Sequence, residues 1–193
     1  MHGERQPVAD RAELYLRSLL PEGYSKQQGT TLDRVDDLVQ DGVVGEFQVQ
    51  VCGHQVPASV AATRTAVGER LVTRLAAFQA WAKRNDCSLA PAMEIRTVDD
   101  SLADAHYRAL RLPAVLLAEY RDGALRCVTP HHDGEAVRSV DDRLDELAAR
   151  EPTTFEPLRR TTLLTSTSAA EVEPEAAESD EPDAEEPALL TRR

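Results

Sequence analysis

Cys52 and His54, together with Cys127, His131 and His132, are the residues whose types and spacing could hold a metal. Cys-x-His and Cys-x3-His-His supply the thiolate and imidazole groups that zinc takes. The candidate ligand set is Cys52, His54, Cys127 and His131. The competing reading puts a small buried cysteine on each of two strands and solvent-facing histidines in loops. Zinc sites usually show tighter paired spacing, and no cofactor is expected. Cys52 is also the candidate for a lone reactive thiol. Such a thiol needs a nearby cation or helix N-terminus, yet the next helix pattern starts near Thr63, eleven residues on. Cys87 follows a helix pattern and reads as structural. His131-His132-Asp133 could pass a proton, but no GxSxG motif and no phosphate-binding glycine loop accompanies it, so a polar turn is expected. Asp99-Asp100 and Asp141-Asp142 open helix patterns, where carboxylates favour the positive helix end. No catalytic motif emerges, and an enzyme is not expected.

Phosphate contact needs guanidiniums or ammoniums on one face. Arg11, Arg17, Arg64, Arg70, Arg74 and Arg84 are the basic cluster worth naming. Arg70 and Arg74 share a face of one helix and are the candidate nucleic-acid contacts, diluted by Glu69. The plainer reading is a solvated helix face.

Charge bears on both readings. The 193 residues carry 34 acidic and 22 basic side chains, a formal net charge of −12. That disfavours a generic basic nucleic-acid binder. Residues 168–193 hold nine acids, two arginines, three prolines and no aromatic residue. A segment of this composition cannot bury enough apolar surface to offset chain entropy, and it reads as a disordered acidic tail. The tail is either a solubilising segment or a handle for protein partners. The basic residues are skewed: 20 arginines and two lysines, Lys26 and Lys83. Abundant carboxylates with almost no lysine suit a protein kept soluble in molar salt, although high genomic GC content also favours arginine over lysine. At about 1 M salt the Debye length is about 3 Å, so the net charge loses much of its power to exclude DNA.

No stretch approaches the roughly 18 apolar residues of a membrane span, and the start MHGERQPVADRAELYL lacks a signal peptide's order. A cytoplasmic location without membrane association is expected. Three cysteines with no CxxC argue against structural disulfides there.

The elements that must position these groups follow from periodicity. ELYLRS (13–18) alternates as a strand, with Leu14 and Leu16 on one face. Pro21, Gly23 and Ser25 mark a loop. TTLDRVDDLVQDG is a helix, with Thr30 and Asp33 at capping-box spacing and Gly42 at its end. EFQVQVCG alternates as a second strand. From Thr63 to Arg84, Val67, Leu71, Leu75 and Phe78 make the apolar stripe of a long helix. MEIRTV reads as a third strand, and Ser101 to Leu110 as a short helix. PAVLLAEY is a strand buried on both faces, Arg121-Asp122-Gly123 a hairpin turn, and ALRCVT its partner. HHDGEAVR reads as a loop, and Ser139 with Asp142 caps a final helix. The expected organisation is a loose N-terminus (1–10), one α/β domain (11–150), a linker (151–167) and the tail (168–193). The domain is expected to hold a mixed sheet with helices on both faces.

Two resemblances add to this reading. MEIRTVDDSLADAHYRALRLPAVLLAEYRDGALRCVTPHHDGEAVRSVDDRLDEL resembles the second half of a thioredoxin-like domain. That resemblance implies a thioredoxin-like mixed sheet, with Pro113 in the place of the family's cis-proline. It also implies a redox dithiol, which this chain lacks: Cys52 stands alone. ELYLRSLLP, DRVDDLVQDG, EFQVQVCGHQV, AFQAWAKRNDCSL, LPAVLLAEYRDGALRCVTP and DGEAVRSVDDRLDEL together resemble a family of small acidic haloarchaeal proteins labelled as helix-turn-helix proteins. This resemblance implies a transcription-related role, with DNA as a partner in high salt. The two helices closest to such a motif, within 25–42 and 63–84, have a strand between them, which the motif's short turn does not allow. The leading expectation is a non-catalytic regulatory or binding protein of a halophile. The alternatives are a single-thiol redox protein using Cys52 and an adaptor using the tail.

Overall fold

A computed structural model describes residues 6–18, 26–100 and 105–159. The acidic tail (168–193), the last part of the linker (160–167) and the Pro21–Ser25 loop lie outside the described residues. In chain order the elements are β1 (Ala9–Leu16), α1 (Lys26–Gln40), β2 (Val44–Val51), β3 (Gln55–Pro57), a 3-10 turn (Val60–Ala62), α2 (Ala66–Arg84), β4 (Glu94–Asp100), β5 (Ala105–Arg111), β6 (Val115–Arg121), β7 (Ala124–Thr129), β8 (His131–His132), β9 (Val137–Arg138) and α3 (Val140–Ala148).

The main sheet has the order β2-β1-β6-β7. β1 and β2 run parallel across the α1 crossover, while β1–β6 and β6–β7 are antiparallel. Alternation along β1 divides the core in two. Ala12, Leu14 and Leu16 pack under α1 and α3 with Val35, Leu38 and Leu144. Tyr15, on the other face, packs under α2 with Leu75, Phe78 and Trp81. The expected mixed sheet with helices on both faces is present. β6 is buried on both faces, as its unbroken apolar run implies. Asp122 (φ 54°) and Gly123 (φ 71°) form the two-residue turn between β6 and β7.

Several elements differ from expectation. α1 starts at Lys26, so Thr30 lies inside it and its hydroxyl donates to the Lys26 carbonyl (3.1 Å) instead of capping the helix. Residues 105–111 form β5, not a helix: β5 pairs with β4 on one side and β3 on the other. Leu110 and Val56 oppose each other in that sheet and are both buried, and this packing overrides the helical propensity of Ala, Leu and Arg. Asp99 and Asp100 therefore end a strand and do not open a helix. β4 pairs in this second sheet, outside the main one. The cis peptide bonds of the described residues precede Pro91 and Pro130, so the bond before Pro113 is trans. His131 and His132 pair with β9 where a loop was expected. The linker boundary also moves. Leu158 exchanges two backbone hydrogen bonds with Leu125 (2.9 and 3.0 Å), and Phe155 packs edge-on against Trp81, so the fold continues to residue 159. At α3 the capping box forms as expected: the Ser139 hydroxyl accepts from the Asp142 amide (3.1 Å), and the Asp142 carboxylate accepts from the Ser139 amide (2.9 Å).

Candidate nucleic-acid interface

α2 sets the position of the arginine pair. Thr65 caps its N-terminus, accepting from the Gly68 amide at 3.1 Å. Val72, Leu75, Phe78, Trp81 and Ala82 bury one stripe against the sheet, and the Trp81 indole donates to the Arg126 carbonyl (3.1 Å). Arg70 and Arg74, one turn apart, then flank the stripe beside β1 and β2.

Beneath them is a polar network organised by Glu13. This carboxylate projects from the middle of β1 onto the α2 face and is only 5% exposed. Its Oε2 accepts from the Tyr15 hydroxyl (2.7 Å) and the Tyr120 hydroxyl (3.0 Å). Its Oε1 pairs with Arg11 (3.1 Å) and Arg74 (3.2 Å). Arg74 also donates to the Tyr120 hydroxyl (3.1 Å), and the Arg11 guanidinium lies 4.5 Å from the centre of the Tyr120 ring. The buried carboxylate thus meets four donors, as a charge out of water must. Burial, with Glu13 adding to it, holds both tyrosine hydroxyls above the usual phenol range, so they remain donors. Burial opposes the charge on Arg74, but Tyr120, Glu13 and Tyr15 together outweigh it and raise its pKa.

Arg74 is therefore committed to the network, and Arg70 is not. Arg70 is exposed and has no ion pair or side-chain hydrogen bond among the described residues. The arginine pair divides two clefts. One, of about 410 Å³, runs between α2 and the polar side of β2, where Gln48 and Gln50 project. The other, of about 550 Å³, lies towards Tyr120 and Leu125 and takes in Arg11 and Glu69. Across both clefts three guanidiniums face two carboxylates, Glu13 and Glu69, which leaves a local cation surplus on an acidic protein.

The other arginines of the sequence cluster lie elsewhere. Arg17 donates to the Leu112 carbonyl (3.0 Å), and Arg84 pairs with Glu156 (2.8 Å) at the far end of α2. Arg64 is exposed ahead of α2. Tyr120 was missed as a site residue because its hydroxyl partners, Glu13 and Arg74, come from β1 and α2, whereas the partner of the Tyr15 hydroxyl lies two residues away on the same strand. The detectable signal was Glu13-x-Tyr15, a carboxylate and a phenol on one strand face.

The structure does not bring the four candidate metal ligands together. Cys52 follows β2 and Cys127 lies in β7, which are opposite edges of the four-stranded sheet. Among the described residues no three His, Cys, Asp or Glu side chains gather to hold a metal. Cys127 and His131 do line one cavity together, away from Cys52 and His54. The thiol reading gains no support either. Burial pushes the Cys52 pKa up to about 11, outweighing the lowering effect of Arg17, and its Sγ donates to the Leu16 carbonyl (3.3 Å).

Among the described residues no two helices are joined by a short turn: β2, β3 and the 3-10 turn separate α1 from α2. No helix of the described residues is long and apolar enough to cross a membrane. A family model described as a helix-turn-helix domain matches residues 4–152, most of the chain, and the chain belongs to that family. No curated protein and no solved structure matches it.

Proposed function

We propose, from membership of the helix-turn-helix family, that this chain is a non-catalytic, transcription-related DNA-binding protein of a halophile's cytoplasm, and that Arg70 contacts the phosphate backbone. The observation that carries the reading is the arginine surplus on α2: Arg74 and Arg11 are fixed by Glu13, and Arg70 stands exposed beside them. A rigid cation next to an unpaired one suits a phosphate track, because phosphate contacts position a protein without reading bases. The abundant carboxylates and scarce lysines support a molar-salt interior. There, charges beyond about 3 Å are screened and only close contacts count.

The test is crosslinking of protein to DNA inside the native high-salt cell, followed by sequencing of the bound fragments. Discrete enrichment at promoters that falls at every site with Arg70→Glu is the expected result. A flat profile for the unaltered protein overturns direct DNA regulation. Dilute-salt binding assays would mislead, because a net charge of −12 repels DNA when unscreened.

A further inference from the structure

An open sheet edge is a template for another chain, and proteins blunt it with charges, proline, short strands or a covering segment. Most edges among the described residues carry such a device. β7 is bridged by Leu158. β4 bears Glu94, Arg96, Asp99 and Asp100, and β3 is three residues long and ends in Pro57. β8 and β9 are two residues each. β2, the outer strand of the main sheet, has no such device over residues 47–51, which read Phe-Gln-Val-Gln-Val.

The Cys52 amide donates to the Leu16 carbonyl (2.9 Å), which fixes the phase of the parallel ladder between β1 and β2. Gln48 and Gln50 then turn their main-chain groups towards β1, and Phe47, Val49 and Val51 turn theirs outward. Among the described residues those three outward N–H groups have no partner, and the Val51 carbonyl meets only the side-chain amide of Gln50 (3.2 Å). The side chains of Phe47, Val49 and Val51 share the face of Ala12, Leu14 and Leu16. Phe47 packs partly against that core, but Val49 and Val51 are 39% and 44% exposed.

We infer that the β2 edge is a dimer interface, and that its occupant is β2 of a second copy of this chain. The strand is complementary to itself. Turned antiparallel about Val49, it sets Val49 opposite the partner's Val49, Phe47 opposite the partner's Val51, and Gln48 opposite the partner's Gln50. The outward residues face each other as pairs that exchange both main-chain hydrogen bonds. Apolar side chains meet apolar ones along one face, amides meet amides along the other, and no like charges are opposed. Glu46 falls opposite the partner's Cys52. A surface that matches itself in this way is what a two-fold dimer requires. Residues 168–193 are a poorer occupant, since their nine acids and three prolines offer neither the apolar row nor an unbroken set of amides. The two-fold axis stands perpendicular to the sheet, so the α2 faces of both copies lie on one side of a continuous sheet. The pairing itself does not depend on the DNA-binding reading.

The experiment is analytical ultracentrifugation of the full chain without DNA, at about 1 M KCl, where the net charge of −12 on each copy is screened. The expected result is a reversible monomer–dimer equilibrium with a midpoint in the micromolar range. Val49→Pro removes an outward N–H and leaves the ladder to β1 intact; it should raise the midpoint at least about tenfold, one lost pair of main-chain bonds at the axis. Urea unfolding establishes that the variant folds. Val49→Cys gives a second, independent reading. Facing Cα atoms in such a pair are about 5.5 Å apart, within disulfide reach, so mild oxidation should yield a covalent dimer. The unaltered protein should yield none, because the two Cys52 residues would lie about 20 Å apart along the paired strands. A monomer at every concentration up to about 1 mM overturns the interface. So does a folded Val49→Pro protein that dimerises like the unaltered one, or a Val49→Cys protein that forms no covalent dimer.

Discussion

Removing Arg143 should be among the costliest single changes to this fold. The guanidinium grips Glu119 through two nitrogens, at 2.7 and 2.9 Å, from α3 onto the centre of β6. Both residues are buried, 3% exposed for Arg143 and 2% for Glu119. In Arg143→Met the volume is roughly kept, but Glu119 stays in the interior without its cation. Breaking a buried pair from one side costs about 3–5 kcal/mol. For a domain of about 150 residues, 1 kcal/mol moves Tm by about 2–4 °C, so the expected fall is about 6–20 °C. Glu119→Leu should cost a similar amount by stranding Arg143, softened because Glu146 still pairs with it at 2.8 Å. The double variant Glu119→Leu with Arg143→Met strands nothing. It should recover most of the loss and lie within about 1–2 kcal/mol of the unaltered protein. Urea unfolding at fixed salt, followed by tryptophan fluorescence, reads all four proteins. Additive losses in the double variant, or an Arg143→Met cost below about 1 kcal/mol, would refute the view that these two charges are matched chiefly to each other.

Other outcomes follow from the same contacts. His131 has a folded pKa below its unfolded value of about 6.5. The unfolded chain therefore binds the proton more readily, the stabilisation is present above pH 6.5, and it is lost as pH falls below that value; urea midpoints between pH 7.5 and 5 should drop for the unaltered protein and drop less for His131→Phe. With its pKa at about 11, Cys52 should react with iodoacetamide at pH 8 about a hundredfold more slowly than an unperturbed thiol, accelerating as pH rises towards 11; rapid labelling mapped to Cys52 at pH 8 would revive the thiol reading. Trp81→Ala removes a fully buried side chain that touches His131 and Phe155 and should cost about 3–5 kcal/mol, measured by denaturant unfolding followed by circular dichroism.

Local order was legible where one periodicity ruled. Leu14 and Leu16 alternate with Glu13 and Tyr15 because one face of β1 packs under α1 and α3 and the other carries the polar network under α2, and the stripe on α2 repeats because one face of that helix is buried. The Ser139–Asp142 capping box and the Asp122-Gly123 turn are chemistry within four residues, which a sequence displays directly. Residues 105–111 failed as a helix because their state is decided by β3 and β4, distant in sequence, and not by the propensities of Ala, Leu and Arg. Residues 152–159 read as linker because Phe155 and Leu158 are isolated apolar residues among polar ones. Their partners, Trp81 and Leu125, lie more than thirty positions upstream. The site was half visible for the same reason. Arg70 and Arg74 share a helix face in any helical reading, but the carboxylate that fixes Arg74 comes from β1, sixty-one residues earlier. Nothing in the composition distinguishes Glu13 from the other acids.

The geometry of α2 limits how the proposed contact with DNA can be made. A recognition helix enters the major groove and turns several side chains onto base edges. α2 lies on the sheet along its buried stripe, and Arg74 is drawn towards Glu13 and Tyr120, so the helix does not stand clear of the fold. A side chain at its flank reaches phosphates before it reaches bases. A backbone contact adds affinity evenly across sequences and leaves sequence preference where it was. Loss of Arg70 should therefore lower every peak in the bound profile by a similar factor without moving any of them. If instead the peaks relocated, Arg70 would have to be reading bases, and α2 would have to leave the sheet to let it do so.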